Sequence, residues 1–124
     1  MSKQSLKIIY IFIISLLLIG FVYKQFTVSN NSELASAIHE GAFLVDVRTS
    51  SEFESGSVEG AVNIPLGDLE GQLDKFKNKK QIIVFCRSGN RSSQAKSILE
   101  RNGINNVIDG GPWEVVNEEI LKNR

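Results

Sequence analysis

The chain carries a single cysteine, and the residues around it limit the fold more than any other stretch. An apolar and mostly β-branched run, residues 82–85, leads directly into Cys86; a short polar loop and an amphipathic segment ending at Gly103 follow. This order predicts a buried strand, a loop and a helix. A thiolate in such a loop faces unpaired backbone N–H groups and the positive end of a helix dipole. These surroundings activate cysteine as a nucleophile, so we expect Cys86 to be the catalytic residue.

The loop after Cys86 has the sequence RSGNR, and four residues separate the cysteine from the second arginine. Because glycine lies at its centre, the loop is able to curl until several N–H groups point at the sulfur, an arrangement that stabilises an anion. The two arginines add positive charge that is expected to lower the pKa of the thiol. These polar neighbours argue against the alternative, a cysteine buried as a small apolar residue. The candidate binding loop consists of Arg87, Ser88, Gly89, Asn90 and Arg91.

A second apolar run, residues 42–48, contains Asp46 and Arg48 at its end. The run predicts a buried parallel strand. Open α/β sheets build their sites at the carboxyl ends of strands, so the two charged residues are candidates for the same site as Cys86. A structural ion pair at the strand end is the alternative interpretation.

The remaining segments alternate between short apolar strands and helices. Asp68 is expected to cap one helix, and Gly110 and Gly111 are expected to form a turn after the last strand. Besides the helix that follows Cys86, the predicted helices are residues 32–40, 51–55, 68–77 and 113–122, and the predicted strands are residues 42–48, 62–64, 82–85 and 107–108. The alternation predicts an α/β domain with a parallel sheet covered by helices on both faces.

Sixteen consecutive residues without a charge, residues 8–23, lie between Lys7 and Lys24. As a helix they span about 24 Å, slightly less than the hydrocarbon core of a bilayer at about 30 Å. Flanking lysines and interfacial tyrosines compensate for this difference. A secretory signal peptide is the alternative, but no small-x-small cleavage site directly follows the run. We therefore expect residues 8–23 to be an uncleaved membrane anchor.

The lysines near this segment favour an orientation with the N-terminus in the cytoplasm. The predicted location is the cytoplasmic membrane, with the domain on its outer, periplasmic or extracellular, side; secretion to the periplasm after signal cleavage is the alternative. The predicted division is an anchor or signal sequence in residues 1–24, a linker in residues 25–31 and one domain in residues 32–122.

Charge and cysteine content exclude several classes of function. Fourteen Lys and Arg residues balance fourteen Asp and Glu residues, but residues 1–24 hold three lysines and no acid. The rest of the chain therefore carries a formal charge of about −3, which offers nucleic acid no electrostatic attraction. A single cysteine excludes an intramolecular disulfide and a cysteine-cluster metal site. We expect neither a metal nor an organic cofactor.

Four sequence features together resemble the rhodanese family of sulfurtransferases: CRSGNRS, DVR, EFESGSVEGAVNIP and the late GG pair. The likeness covers about residues 31–122 and is closest to the small exported single-domain type that resembles phage shock protein E. It implies a rhodanese-like three-layer domain, with a central parallel sheet covered by helices and one hydrophobic helix before it. No single feature is specific, but the combination is.

The resemblance also implies a reaction. Cys86 accepts a sulfane sulfur from thiosulfate or a related donor as a persulfide and passes it to a thiol, cyanide or a protein acceptor of unknown identity. The amides of residues 87–91 cradle the persulfide, and Asp46 and Arg48 match the supporting D-x-R. The two loop arginines, Arg87 and Arg91, are expected to help bind the anionic donor.

Two positions depart from the pattern of the family. Ser57 stands where many members have histidine, so a local hydrogen bond is either replaced or lost. Trp113 follows Gly111 by only two positions, which is closer than the usual GG-x-x-x-W spacing. Both departures affect packing and the pocket wall more than the class of reaction.

Two other functions use a similar arrangement. Cysteine phosphatases and arsenate reductases with a related fold have a C-x5-R loop wide enough for a tetrahedral oxyanion, whereas the C-x4-R loop of this chain suits a single sulfur atom better. A non-catalytic, membrane-anchored module that binds a protein is the third hypothesis. The presence of Cys86 and both loop arginines argues against it.

Overall fold

The structure is a computed structural model of residues 1–124, and it describes the side chains of residues 1–25 and 31–124. The chain divides into two compact units, Met1–Glu33 and Leu34–Arg124. The predicted linker, residues 25–31, falls mainly on residues 26–30, which lie outside the described side chains. It therefore stays a prediction.

The first unit consists of the long N-terminal helix. Helix α1 is Lys3–His39, and the apolar stretch of 18 residues within Lys3–Gln25 has a mean hydropathy of 2.5. This segment is long and apolar enough to cross a membrane, judged by length and composition. The last residues of α1 belong to the second unit, where Leu34 and Ala37 are buried in its core.

The second unit is built on a four-stranded parallel sheet with the strand order β2-β1-β3-β4. The strands are β1 (Phe43–Asp46), β2 (Val62–Asn63), β3 (Ile82–Cys86) and β4 (Val107–Pro112). All five residues of β3 are buried, because this strand lies between two neighbours and under helices on both faces. The predicted parallel sheet is confirmed.

Two helices and one 3₁₀ segment connect the strands, and a further helix follows the last strand. They are α2 (Ser50–Glu54), the 3₁₀ segment Leu66–Phe76, α3 (Asn90–Arg101) and α4 (Trp113–Lys122). Helix α2 begins with a capping box in which Thr49 and Glu52 exchange hydrogen bonds. The fourth helix has the bounds that the sequence predicts.

Two predictions about local structure are wrong. The segment after Pro65 is a 3₁₀ segment that begins at Leu66, so Asp68 does not cap an α-helix; non-helical backbone at Gln72 interrupts it. The two glycines near the C-terminus do not form a turn, because β4 continues through them to Pro112 with a shift of register. Both stretches contain glycine, for which the local sequence does not determine the secondary structure; tertiary packing determines it instead.

The sheet separates two apolar clusters. Residues 82, 84 and 86 of β3 point to the face that α3 and the 3₁₀ segment cover, while Ile83 and Phe85 point to the face that α4 covers. The alternation is the two-residue period of a strand that is buried on both sides. This three-layer arrangement confirms the expected fold class, and it puts the side chain of Cys86 next to the start of α3.

Gly110 allows α4 to approach the sheet closely. A Cβ atom at this position would lie 2.7 Å from Cγ2 of Val116 and 3.0 Å from Cγ2 of Ile83. Any other residue type at this position would displace the side chain of Val116 or Ile83. The position of α4 and of Trp113 at its start therefore depends on this glycine.

Candidate active site

The nucleophile predicted from the sequence lies at the carboxyl end of the central strand. Cys86 is the last residue of β3, and it is fully buried. The chain then turns through residues 87–89 and enters α3 at Asn90. Gly89 makes this turn with a φ of 96°, a value that residues with a side chain rarely adopt. The loop also packs on β4, because Gly89 faces Gly111 across a short gap.

Hydrogen-bonding groups converge on the sulfur of Cys86. The N–H of Gly89 donates to Sγ at 3.0 Å, and Sγ lies 3.6 Å from the hydroxyl of Ser92. The Ser92 hydroxyl is itself held by the carbonyl of Gly89, to which it donates at 3.0 Å. The loop and the first turn of α3 therefore approach the sulfur from the side of the helix N-terminus.

These groups lower the pKa of the thiol. Burial alone acts to raise the pKa of Cys86, but hydrogen bonds from the backbone and the hydroxyl of Ser92 oppose it, as do the amides of Gly89 and Ser88. The hydrogen bonds outweigh the burial, so the pKa lies below its ordinary value. The arrangement favours a thiolate, the nucleophilic form of cysteine.

Ser92 is a site residue that the sequence reasoning missed. It is buried on the same face of α3 as Ala95 and Leu99. The sequence did contain a signal, because Ser92 is a polar residue at a position where the helical period predicts an apolar one. A buried hydroxyl needs a hydrogen-bond partner, which indicates a polar site nearby. In this site its partners are Cys86 and Gly89.

The two loop arginines differ in their surroundings. Arg91 forms a two-pronged ion pair with Glu52 of α2, at 2.7 Å and 3.0 Å. Arg87 is exposed and makes no ion pair among the described residues. Glu52 is the second residue that the sequence reasoning missed, because 39 positions separate it from Arg91. The contribution of either arginine to the reactivity of the thiol stays a prediction.

The other two loop residues face solvent. Ser88 and Asn90 are both exposed, and the side chain of Asn90 accepts a weak hydrogen bond from Gln94 at 3.4 Å. Their side chains therefore lie on the outside of the loop, while the backbone N–H of Ser88 is one of the groups that favour the thiolate.

Asp46 and Arg48 form a buried ion pair on the neighbouring strand. The guanidinium donates to Oδ1 of Asp46 at 3.0 Å and to Oδ2 at 2.7 Å, and Asp46 also accepts from the backbone N–H of Arg48. Asp46 lies beside Phe85 in the sheet, one residue from Cys86. The pair belongs to the carboxyl edge of the sheet that carries the loop.

Ser57 and Trp113 complete this pair. The hydroxyl of Ser57 donates to Oδ2 of Asp46 at 2.7 Å, so the serine supplies a local hydrogen bond at the position where many family members have histidine. The ring centroid of Trp113 lies 5.2 Å from Cζ of Arg48, within the range of a cation–π contact. The shortened spacing after the glycine pair therefore still places the tryptophan over the arginine.

No group of three or more His, Cys, Asp or Glu residues is arranged to hold a metal ion in the part of the chain that the structure describes. The groups that the structure brings together at this site are one cysteine, a curled loop and paired charges. The N–H groups of the curled loop favour a negative charge at Sγ.

Comparison with known proteins identifies the family to which this site belongs. The family described as Rhodanese-like domain matches residues 30–113, which is more than half of the chain. The chain is a member of the rhodanese-like domain family. Relatives with sulfurtransferase names support sulfur transfer as the general class of activity.

Two relatives and one structure show the extent of the likeness. Uncharacterized protein YqhL of Bacillus subtilis is 32% identical, over 88% of this chain and 87% of that protein. Thiosulfate sulfurtransferase PspE of Escherichia coli is 33% identical, over 54% of this chain and 66% of that protein. A solved Escherichia coli "rhodanese with anions" is 30% identical and superposes with a TM-score of 0.56, covering 60% of this chain and 91% of that one. The rhodanese-like resemblance of the sequence is thereby confirmed.

Replacing Ser92 by alanine tests the account of the thiolate. We expect the pKa of Cys86 to rise, because one group that favours the charged sulfur is lost. A hydrogen bond is worth about 0.5–1.5 kcal/mol, so alkylation by iodoacetamide at pH 7 should slow by roughly twofold to tenfold. The rate measured as a function of pH should reach its half-maximum at a higher pH than in the parent.

Ser93→Ala is the matched control, since Ser93 is exposed and its hydroxyl makes no hydrogen bond among the described residues. We expect its pH profile to coincide with that of the parent. An unshifted profile in Ser92→Ala would contradict the role of Ser92.

Proposed function

We propose that the protein is a sulfurtransferase that carries a sulfane sulfur on Cys86 as a persulfide. The observation that supports it most is the hydrogen bonding around Sγ, where the Gly89 amide lies at 3.0 Å and the thiol pKa is lowered. The same groups that stabilise the thiolate are placed to hold the terminal sulfur of a persulfide, which is also an anion.

The reaction has two displacement steps. The Cys86 thiolate attacks the outer sulfur of thiosulfate, the bond between the two sulfurs of the donor breaks, and sulfite leaves with the bonding electron pair. A thiol, cyanide or a protein acceptor then attacks the outer sulfur of the persulfide and regenerates the thiolate. Charge and atoms balance in both steps, and no metal or organic cofactor takes part.

The surrounding residues have supporting roles in this proposal. The amides of the loop bind the transferred sulfur, and Arg87, which is exposed at the loop, attracts an anionic donor. The buried pair of Asp46 and Arg48 holds the neighbouring strand end in place beside the loop. The loop spacing of four residues suits a single sulfur atom.

Mass spectrometry tests the persulfide directly. We expect the full-length protein, incubated with thiosulfate in a neutral detergent, to gain one sulfur atom on the peptide that contains Cys86. Addition of cyanide should remove that sulfur. The Cys86→Ser variant serves as the control and should gain none. A parent protein that stays unmodified would contradict the proposal and would leave the non-catalytic binding module as the better hypothesis.

We propose further that residues 8–23 anchor the protein in the cytoplasmic membrane with the domain on the outer side. The supporting observation is the apolar helical segment Lys3–Gln25, whose side chains are all exposed. At 1.5 Å per residue its 23 residues extend about 34 Å, enough to cross a hydrocarbon core.

The N-terminus of the mature protein decides between an anchor and a signal sequence. We expect protein from the membrane fraction to begin near Met1 and to be digested by protease added to spheroplasts. A soluble protein that begins after about residue 24 would show cleavage. Resistance to the protease in intact spheroplasts, with digestion only after lysis, would contradict the orientation.

A further inference from the structure

The ion pair between Glu52 and Arg91 compensates the charge of one of the two arginines of the loop. Both oxygens of Glu52 accept from Arg91, and the N–H and hydroxyl of Thr49 fix one of them, at 3.3 Å and 3.1 Å. Two-pronged pairs of this kind are among the strongest that arginine forms. The hydrogen bond with Arg91 is the largest cause that lowers the pKa of Glu52, to about 2, so the carboxylate is charged wherever the site operates.

Arg91 nevertheless lies within electrostatic reach of the nucleophile. The hydrogen bond with Glu52 is the largest cause that raises the pKa of Arg91, and the negative charge of a Cys86 thiolate raises it further. The charge of Arg91 would therefore act on an anion in the loop if Glu52 did not neutralise it. Only about a third of either side chain is exposed, so solvent screens this pair incompletely.

The other two cations of the site, Arg48 and Arg87, differ in whether a negative charge compensates them. Arg48 is buried, bound to Asp46 and covered by Trp113, and its charge is thus compensated. Arg87 is exposed and has no ion pair among the described residues. One uncompensated cation remains at the loop to receive a donor.

We propose that Glu52 sets the charge preference of the donor site: while it holds Arg91, the loop favours a sulfur donor with at most one negative charge over doubly charged thiosulfate. Small organic persulfides are the class of donor that fits. This inference rests on the sulfur transfer proposed above. Glu52 is a positioning residue in it, because it acts through Arg91 and does not itself contact the donor.

The transfer from an organic persulfide R–S–SH needs no other reactant. The Cys86 thiolate attacks the outer sulfur, the bond between the two donor sulfurs breaks, and the thiolate R–S⁻ leaves with the electron pair. The hydrogen moves with the transferred sulfur, so Cys86 becomes Cys86–S–SH. Thiosulfate undergoes the same displacement but brings two negative charges to the loop.

The donor preference is tested with full-length protein in a neutral detergent. For each protein, the parent and Glu52→Gln, kcat/KM is measured with thiosulfate and with 2-hydroxyethyl persulfide. The ratio of the thiosulfate value to the persulfide value is then compared between the two proteins. We expect the ratio of thiosulfate to persulfide to rise about threefold to tenfold in Glu52→Gln, because one more cation then acts on the donor at short range. A ratio within one sample does not depend on the fraction of active protein.

Glu54→Gln is the matched control, since it removes the same charge from the same short helix at an exposed residue with no ion pair among the described residues. Its ratio should equal that of the parent. If Glu52→Gln leaves the ratio unchanged or lowers it while both donors still load Cys86, Glu52 is only structural and the inference is wrong. If neither donor loads Cys86 in the parent, the proposed sulfur transfer itself fails.

A second variant keeps the test valid should Glu52→Gln fail to fold. Arg87→Gln changes an exposed side chain and removes the uncompensated cation. We expect its ratio of thiosulfate to persulfide to fall by about threefold to tenfold. An unchanged ratio would mean that positive charge at the loop does not decide between the two donors, and it would overturn the inference.

Discussion

A buried sulfur that must carry a negative charge is the constraint on which the rest of this domain depends. Cys86 ends the most deeply buried strand, and an isolated charge in such a place costs several kcal/mol or more unless polar groups surround it. The structure meets this requirement with the N–H of Gly89, which donates to Sγ, and with the backbone and hydroxyl of Ser92, which lower the pKa of the thiol. The left-handed turn, the start of α3 and the packing of the loop on β4 are all consequences of bringing N–H groups to one atom.

The charges beyond this centre are arranged in pairs. Asp46 and Arg48 satisfy each other inside the protein, and Ser57 takes the remaining acceptor capacity of the carboxylate. Glu52 compensates the charge of Arg91 by an ion pair nearer the surface. A site of paired charges is rigid and nearly neutral, so the selectivity for a donor depends on the few groups that are left unpaired.

The sequence predicts those parts of the structure that local pattern determines. The strand before Cys86, the helix after it and the bounds of α4 follow from apolar periodicity, and the site at the carboxyl edge follows from topology. The 3₁₀ segment and the length of β4 do not, because glycine-containing stretches adopt what tertiary packing allows. Glu52 was missed for a related reason. Its partner, Arg91, is 39 positions away in the sequence, and local sequence patterns do not predict contacts between residues so far apart.

The ionisation of Cys86 is the measurement that tests the account most directly. The chain has one cysteine, so the ultraviolet absorbance of the thiolate, titrated against pH, reports this residue alone. The Cys86→Ser variant supplies the background from the two tyrosines. We predict a midpoint below the value of about 8.5 of a free cysteine, because the hydrogen bonds outweigh burial. A midpoint at or above that value would show that burial prevails and that the loop does not stabilise an anion.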